Sequence, residues 1–236
     1  MTIQATSKIA VLMEKKEFMA SMDVGETTGS DYLLVNGHEV SEDGPSPLSF
    51  IGASLYRSAT RLGSKGLFIL GYFCDEHRPF SKRGSETCKP VGMMLSLLGQ
   101  LAAQMVQRGV PIDLSSLDDS EWKKIKKHKL KALGRVFGTL VRQLPSGSHL
   151  YCVIDEATWY EQPGMSEDLE LVLSRLSRTV GDCNNRGEVE FKLLVTARGE
   201  ARRIGLVFGD RVIDLPEAVE PRDSSQTVVG NIGRAG

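Results

Sequence analysis

The sequence predicts an α/β domain: a mainly parallel sheet flanked by helices. Three observations predict it. Short runs that are apolar at nearly every position lie at 32–36, 67–73, 150–154 and 191–196. Strands apolar on both faces belong inside a sheet that is covered on both sides. Stretches of helical period separate these runs, and that alternation gives parallel strands joined by crossover helices. The run at 150–154 also ends in two carboxylates, Asp155 and Glu156. This places a polar site at the carboxyl ends of the strands, where parallel sheets bind ligands.

Residues 1–30 read as a polar segment with one weakly amphipathic piece from Ile9 to Met19. Asp-Tyr-Leu-Leu-Val-Asn-Gly at 31–37 is a strand entering a loop. A helix follows at 48–62, with Phe50, Ile51, Leu55, Tyr56, Ala59 and Leu62 at helical spacing; Ser46 is its cap and Pro47 suits its first turn. A polar, basic loop at 75–89 follows the second strand. Pro90 opens a long helix that Gly109 and Pro111 stop. One further helix is expected from about 120 to 144, another over 165–180, and a fifth strand near 211–215. The domain is thus drawn as 31–216. The tail at 217–236, rich in polar and small residues, is expected to be disordered.

Composition narrows the function. The 236 residues carry a net charge of -1, so no global field draws the chain to nucleic acid or to an anionic membrane. The basic run Lys123, Lys124, Lys126, Lys127, Lys129 and Lys131 is read as a solvated helix face rather than a nucleic-acid patch. Cys74, Cys88, Cys152 and Cys183 are widely spaced and form no Cys-x-x-Cys pair, which argues against zinc ribbons and disulfide frameworks. A reducing compartment, the cytoplasm, is the expected location. No apolar run approaches the roughly 20 residues of a membrane helix.

The acid pair is the sharpest motif. An apolar strand followed by Asp155-Glu156 has the form of a Walker B strand, in which the first acid holds the magnesium shell and the second orients a water. An ordinary buried strand meeting a polar loop has the same pattern. Some forty residues later the 191–196 strand ends in Thr196, Ala197 and Arg198, as the next core strand of such ATPases does, where the polar group senses the terminal phosphate.

The matching phosphate loop is incomplete. Such a loop needs G-x-x-x-x-G-K-[ST] between a strand and a helix. Only 37–49 lies in the right place, as Gly-His-Glu-Val-Ser-Glu-Asp-Gly-Pro-Ser-Pro-Leu-Ser. Gly37 and Gly44 are spaced too widely, and Pro45 stands where lysine is expected. Pro45 and Pro47 donate no N–H, and Glu39, Glu42 and Asp43 repel phosphate. The loop, with Ser46 as its hydroxyl, is therefore read as a phosphate loop in position but not in chemistry.

Several stretches together resemble fungal proteins related to the NACHT-type signal-transduction NTPases. They are 33–55, the Gly-Leu-Phe-Ile-Leu-Gly-Tyr-Phe-Cys strand with its basic loop at 66–80, the helix Gly-Met-Met-Leu-Ser-Leu-Leu-Gly-Gln-Leu at 92–101, 141–145, 151–161 and 191–198. The resemblance implies a P-loop NTPase core, with Asp155 as the magnesium-shell acid and Glu156 as the water-orienting acid. It also implies signalling roles and regulated self-association. The missing lysine sets the expectation of an NTPase-like interaction or scaffold domain that binds other proteins and holds no cofactor. The alternative is an ATPase with an atypical phosphate loop, binding ATP and magnesium and acting as a signalling switch. In that case Gly37, Gly44, Ser46, Thr196 and Arg198 would line the nucleotide site.

Overall fold

The computed structural model describes residues 3–22, 29–39, 46–62, 66–78 and 88–219. Five strands, β1 (Asp31–Asn36), β2 (Leu67–Phe73), β3 (Ser148–Asp155), β4 (Val189–Ala197) and β5 (Val212–Asp214), form one sheet in the order β2-β3-β4-β1-β5. Every pairing is parallel, as the apolar runs predict. The register sets Asp155 of β3 beside Phe73 and Ile154 beside Val195, so β2, β3 and β4 end close together.

Helices cover both faces. α4 (Pro90–Gln107), α6 (Leu130–Arg142) and α7 (Ser166–Arg186) bury one face through Met93, Leu97, Phe137, Leu173 and Leu176, packed on Phe68, Leu150 and Phe191. On the other face α1 (Ile3–Glu14), α2 (Lys16–Met22) and α3 (Pro47–Leu62) pack Leu12, Phe18, Leu48 and Ile51 on Leu33, Val35 and Leu194. Alternate residues of each strand point to opposite faces, so a strand filling both cores must be apolar throughout.

Two expectations are corrected. Residues 3–22 are not a polar leader with one amphipathic piece but two helices, and Ile9, Leu12 and Phe18 belong to the core of the domain. α1 carries Ile9, Val11, Leu12 and Met13 close together, and its buried residues join the cluster that α2 and α3 form on the sheet. The helix expected over 120–144 is broken in two. α5 (Asp119–Lys126) ends before His128, whose φ is +50°, and α6 starts at Leu130. α5 buries no residue, so nothing forces its axis to continue into the packed α6. Trp122, within α5, is exposed.

α3 begins as its sequence indicates. Leu48 N donates to Ser46 Oγ at 3.1 Å, an N-cap bond, and Pro47 occupies the first turn, where its missing N–H costs nothing. The last short helix, α8 (Gly205–Phe208), leads into β5. Among the described residues no helix is long and apolar enough to cross a membrane. The tail from 220, the loop at 79–87 and residues 40–45, Gly44 and Pro45 included, lie outside the described residues.

Candidate functional site

The carboxyl ends of β3 and β4 gather four of the residues singled out in the sequence. Asp155 ends β3. Thr196 Oγ1, from β4, donates to Asp155 Oδ1 at 2.6 Å and accepts from Glu156 N at 3.0 Å. One hydroxyl therefore ties both acids to the neighbouring strand. Glu156 adopts a left-handed backbone (φ +52°, ψ +46°), uncommon for a side chain that is not glycine. This turn folds its carboxylate back into the protein, where the side chain is 1% exposed.

Donors surround that carboxylate. Arg198 reaches Glu156 Oε1 through Nε at 3.1 Å and through a terminal guanidinium nitrogen at 2.8 Å. Ser49 Oγ donates to the same oxygen at 3.1 Å, and Trp159 Nε1 donates to Oε2 at 2.7 Å. Arg198 is itself buried, at 8% side-chain exposure. Behind Trp159, the Arg78 guanidinium lies 4.1 Å from the indole centroid and pairs with Asp75. Sequence reasoning did not find Ser49 as a site residue, nor Trp159. Their partners are more than a hundred positions away for Ser49 and three for Trp159, and no spacing rule marks either pair.

Burial pushes the Asp155 carboxyl up to about 6, with the charges of Glu156 and Asp75 adding to it and the Ser49 and Thr196 hydroxyls opposing. Burial works against the charge of Arg198, but the bond and charge of Glu156 outweigh it, and the guanidinium is raised above its ordinary value. Burial pushes the Cys74 thiol well above the usual thiol range, and the charges of Asp155, Glu156 and Asp75 add to it.

The loop side of the site is built differently. Ser49, not Ser46, brings its hydroxyl to the acid pair. In the G-K-[ST] order the residue before that hydroxyl is the lysine. Here it is Leu48, 1% exposed and packed in the core of α1, α2 and α3. Pro45, which the sequence reading sets at the lysine position, lies outside the described residues. Ser46 serves α3 as its cap and donates to Glu39 Oε1 at 2.6 Å, away from the acid pair.

Two glycines permit these approaches. A Cβ on Gly37 would stand 2.8 Å from the Arg198 carbonyl oxygen, so only glycine lets the loop start lie on the end of β4. A Cβ on Gly52 would stand 3.2 Å from Val153 Cγ1, and the bare backbone there brings α3, and with it Ser49, close to β3.

A cation from α1 reaches the described start of the loop. Lys8 of α1, 3% exposed, donates through Nζ to Gly37 O at 2.6 Å and to His38 O at 3.4 Å. Burial lowers its pKa, and the charge of Glu39 opposes that shift. Nothing in the sequence around Lys8 marks it as a loop partner. Among the described residues no group of three or more His, Cys, Asp or Glu side chains is arranged to hold a metal ion. A magnesium ion there would draw on Asp155 and depend on a nucleotide's phosphates for the rest of its shell.

The fold and site define the class: an α/β domain with five parallel strands and a buried acid–hydroxyl–guanidinium cluster at the carboxyl ends of its central strands. No family model matches the chain, and no curated protein matches it. Among solved structures the chain is similar to the ORC2 protein of Aeropyrum pernix, whose structure is described as ADPNP-ADP complexes, at 12% identity and a TM-score of 0.37. The match covers 90% of this chain and 46% of that one, so the chain spans about half its length. At that TM-score the likeness carries no argument, and the functional reading rests on the chain's own geometry.

Proposed function

We propose that this chain is a P-loop NTPase-like interaction or scaffold domain that does not hydrolyse nucleotide. The observation that carries the reading is the state of Glu156. A water-orienting acid needs a carboxylate lone pair that a water can reach, whereas the Glu156 side chain is 1% exposed. Both oxygens of Glu156 are engaged, by Arg198 and Ser49 on one and Trp159 on the other. Leu48 at the position of the phosphate-binding lysine supports the same reading, since an apolar core residue gives nothing to a β- or γ-phosphate. The strand order adds support for the P-loop type: it sets β4, with Thr196 at its end, between the loop strand β1 and the acid strand β3.

On this reading the acid cluster fixes the shape of the strand ends, and the partners are other proteins, a second copy of the chain among them. The sequence resemblance to fungal NACHT-type NTPases supports a signalling context, and four free, buried cysteines fit a reducing cytoplasm. The competing reading is an ATPase with an atypical loop. It is favoured by one feature, the Ser49 hydroxyl facing the acid pair as a phosphate-loop hydroxyl does.

Calorimetric titration with Mg-ATP and Mg-GTP separates the two. The scaffold reading expects no binding heat at micromolar nucleotide. Micromolar Mg-ATP binding that disappears in Asp155→Asn replaces it with the ATPase reading.

A further inference from the structure

The sheet has two edges, and they are finished differently. β5 is three residues long, and so short an edge offers little to pair with. β2 is seven residues long, largely apolar, and among the described residues joined to β3 on one side only. Such an edge is ordinarily a row of open N–H and C=O groups. Here two side chains of α4 take them. Gln104 Oε1 accepts from Ile69 N at 3.0 Å while its Nε2 donates to Ile69 O at 2.7 Å. Gln100 does the same one turn earlier, accepting from Gly71 N at 3.0 Å and donating to Gly71 O at 2.8 Å.

The match follows from geometry. Four residues of helix rise about 6 Å, and two residues of strand rise about 6.6 Å. Glutamines four apart on a helix therefore align with strand residues two apart. A carboxamide carries the same donor and acceptor as a peptide unit, so each can serve both groups of one residue. Gln100 Nε2 also donates to Ser96 Oγ at 3.1 Å, which fixes the orientation of its amide.

We propose that Gln100 and Gln104 act as a side-chain stand-in for a sixth strand, and that they keep β2 from pairing with the same edge of a second copy of this chain. A second copy is the fitting occupant because two identical edges related by a two-fold axis are self-complementary. The inference does not depend on whether the domain binds nucleotide.

The test is Gln100→Ala/Gln104→Ala in the full chain. Alanine keeps helix propensity and adds no apolar surface of note. Gln107→Ala, near the end of the same helix, is the control. Amide exchange at Ile69 and Gly71 is expected to quicken about tenfold, the loss of one hydrogen bond each. Sedimentation velocity is expected to show concentration-dependent dimer in the double variant and not in the control. A folded double variant with unchanged exchange at both amides, or with the sedimentation of the unsubstituted chain at every concentration, overturns the proposal. Should the double variant fail to fold, Gln104→Ala alone is read by exchange at Ile69 with Gly71 as internal reference. Equal protection at the two sites then overturns it.

Discussion

The carboxyl end of β3 and the described ends of the following loop, residues 37–39 and 46–49, meet at one site but are built in opposite ways. On the strand side every acid is buried with donors around it: Asp155 takes the Thr196 hydroxyl, and Glu156 takes Arg198, Ser49 and Trp159. On the loop side the residue before Ser49 is an apolar core residue, Leu48. The buried cation that reaches the loop, Lys8, donates to main-chain carbonyls. The difference teaches that polar residues in a ligand-binding position can work as ties between elements. A buried polar cluster is costly unless satisfied, and this one is satisfied from within the chain.

The comparison breaks most sharply at Arg198. Removing one partner of a buried ion pair leaves the other charge uncompensated, so Arg198→Ala is expected to cost about 3–5 kcal/mol. Urea unfolding at pH 7 measures it. A loss below about 1 kcal/mol, the range of an exposed pair, would mean that the strand side is not held by this tie.

Asp155 sharpens the same side through its titration. Its folded value is pushed up to about 6, above the ordinary 3.8. Between those values the folded chain binds the proton that the unfolded chain releases. The contribution of this group therefore favours folding fully below about pH 4 and is lost as the pH rises through about 6. The loss amounts to about 3 kcal/mol by pH 8. Asp155→Asn keeps an acceptor for Thr196 and removes the charge. Relative to the unsubstituted chain it should gain roughly that amount between pH 4 and pH 8. Urea midpoints at the two pH values check this, and a parallel shift of both proteins would contradict the burial of the carboxyl.

The loop side gives the smallest effect. Gly37→Ala places a Cβ against the Arg198 carbonyl, and a contact of 2.8 Å must be relieved by a backbone shift. Overpacking of this kind costs about 1–3 kcal/mol. Thermal unfolding reads the loss. An unchanged midpoint would show that the loop start moves freely off β4.

Much of this fold was legible because its signals are local. Runs such as Leu-Phe-Ile-Leu at 67–70 and Leu-Leu-Val at 193–195 name strands buried on both faces, and their parallel pairing follows from the helices between them. Ser46-Pro47 marked the cap and first turn of α3, drawn from 48 and found from Pro47. The break at His128 was not legible, since lysines continue helical spacing without saying whether a face is packed. The site was half legible. Asp155, Glu156, Thr196 and Arg198 stand at strand ends that the apolar runs mark, whereas Ser49 and Lys8 lie on helices whose approach depends on the sheet being formed.

The sequence by itself determined the elements and the parallel sheet, because periodicity, caps and breakers act over a few residues. It also determined that two acids would leave β3 at the ligand-binding end. Only the tertiary structure decided what those acids do. Ser49 meets Glu156 across 107 positions, Arg198 meets it across 42, and Lys8 meets Gly37 across 29. Which donor reaches a buried carboxylate is set by how closely helices lie on the sheet, and that closeness is a property of packing that no local pattern encodes.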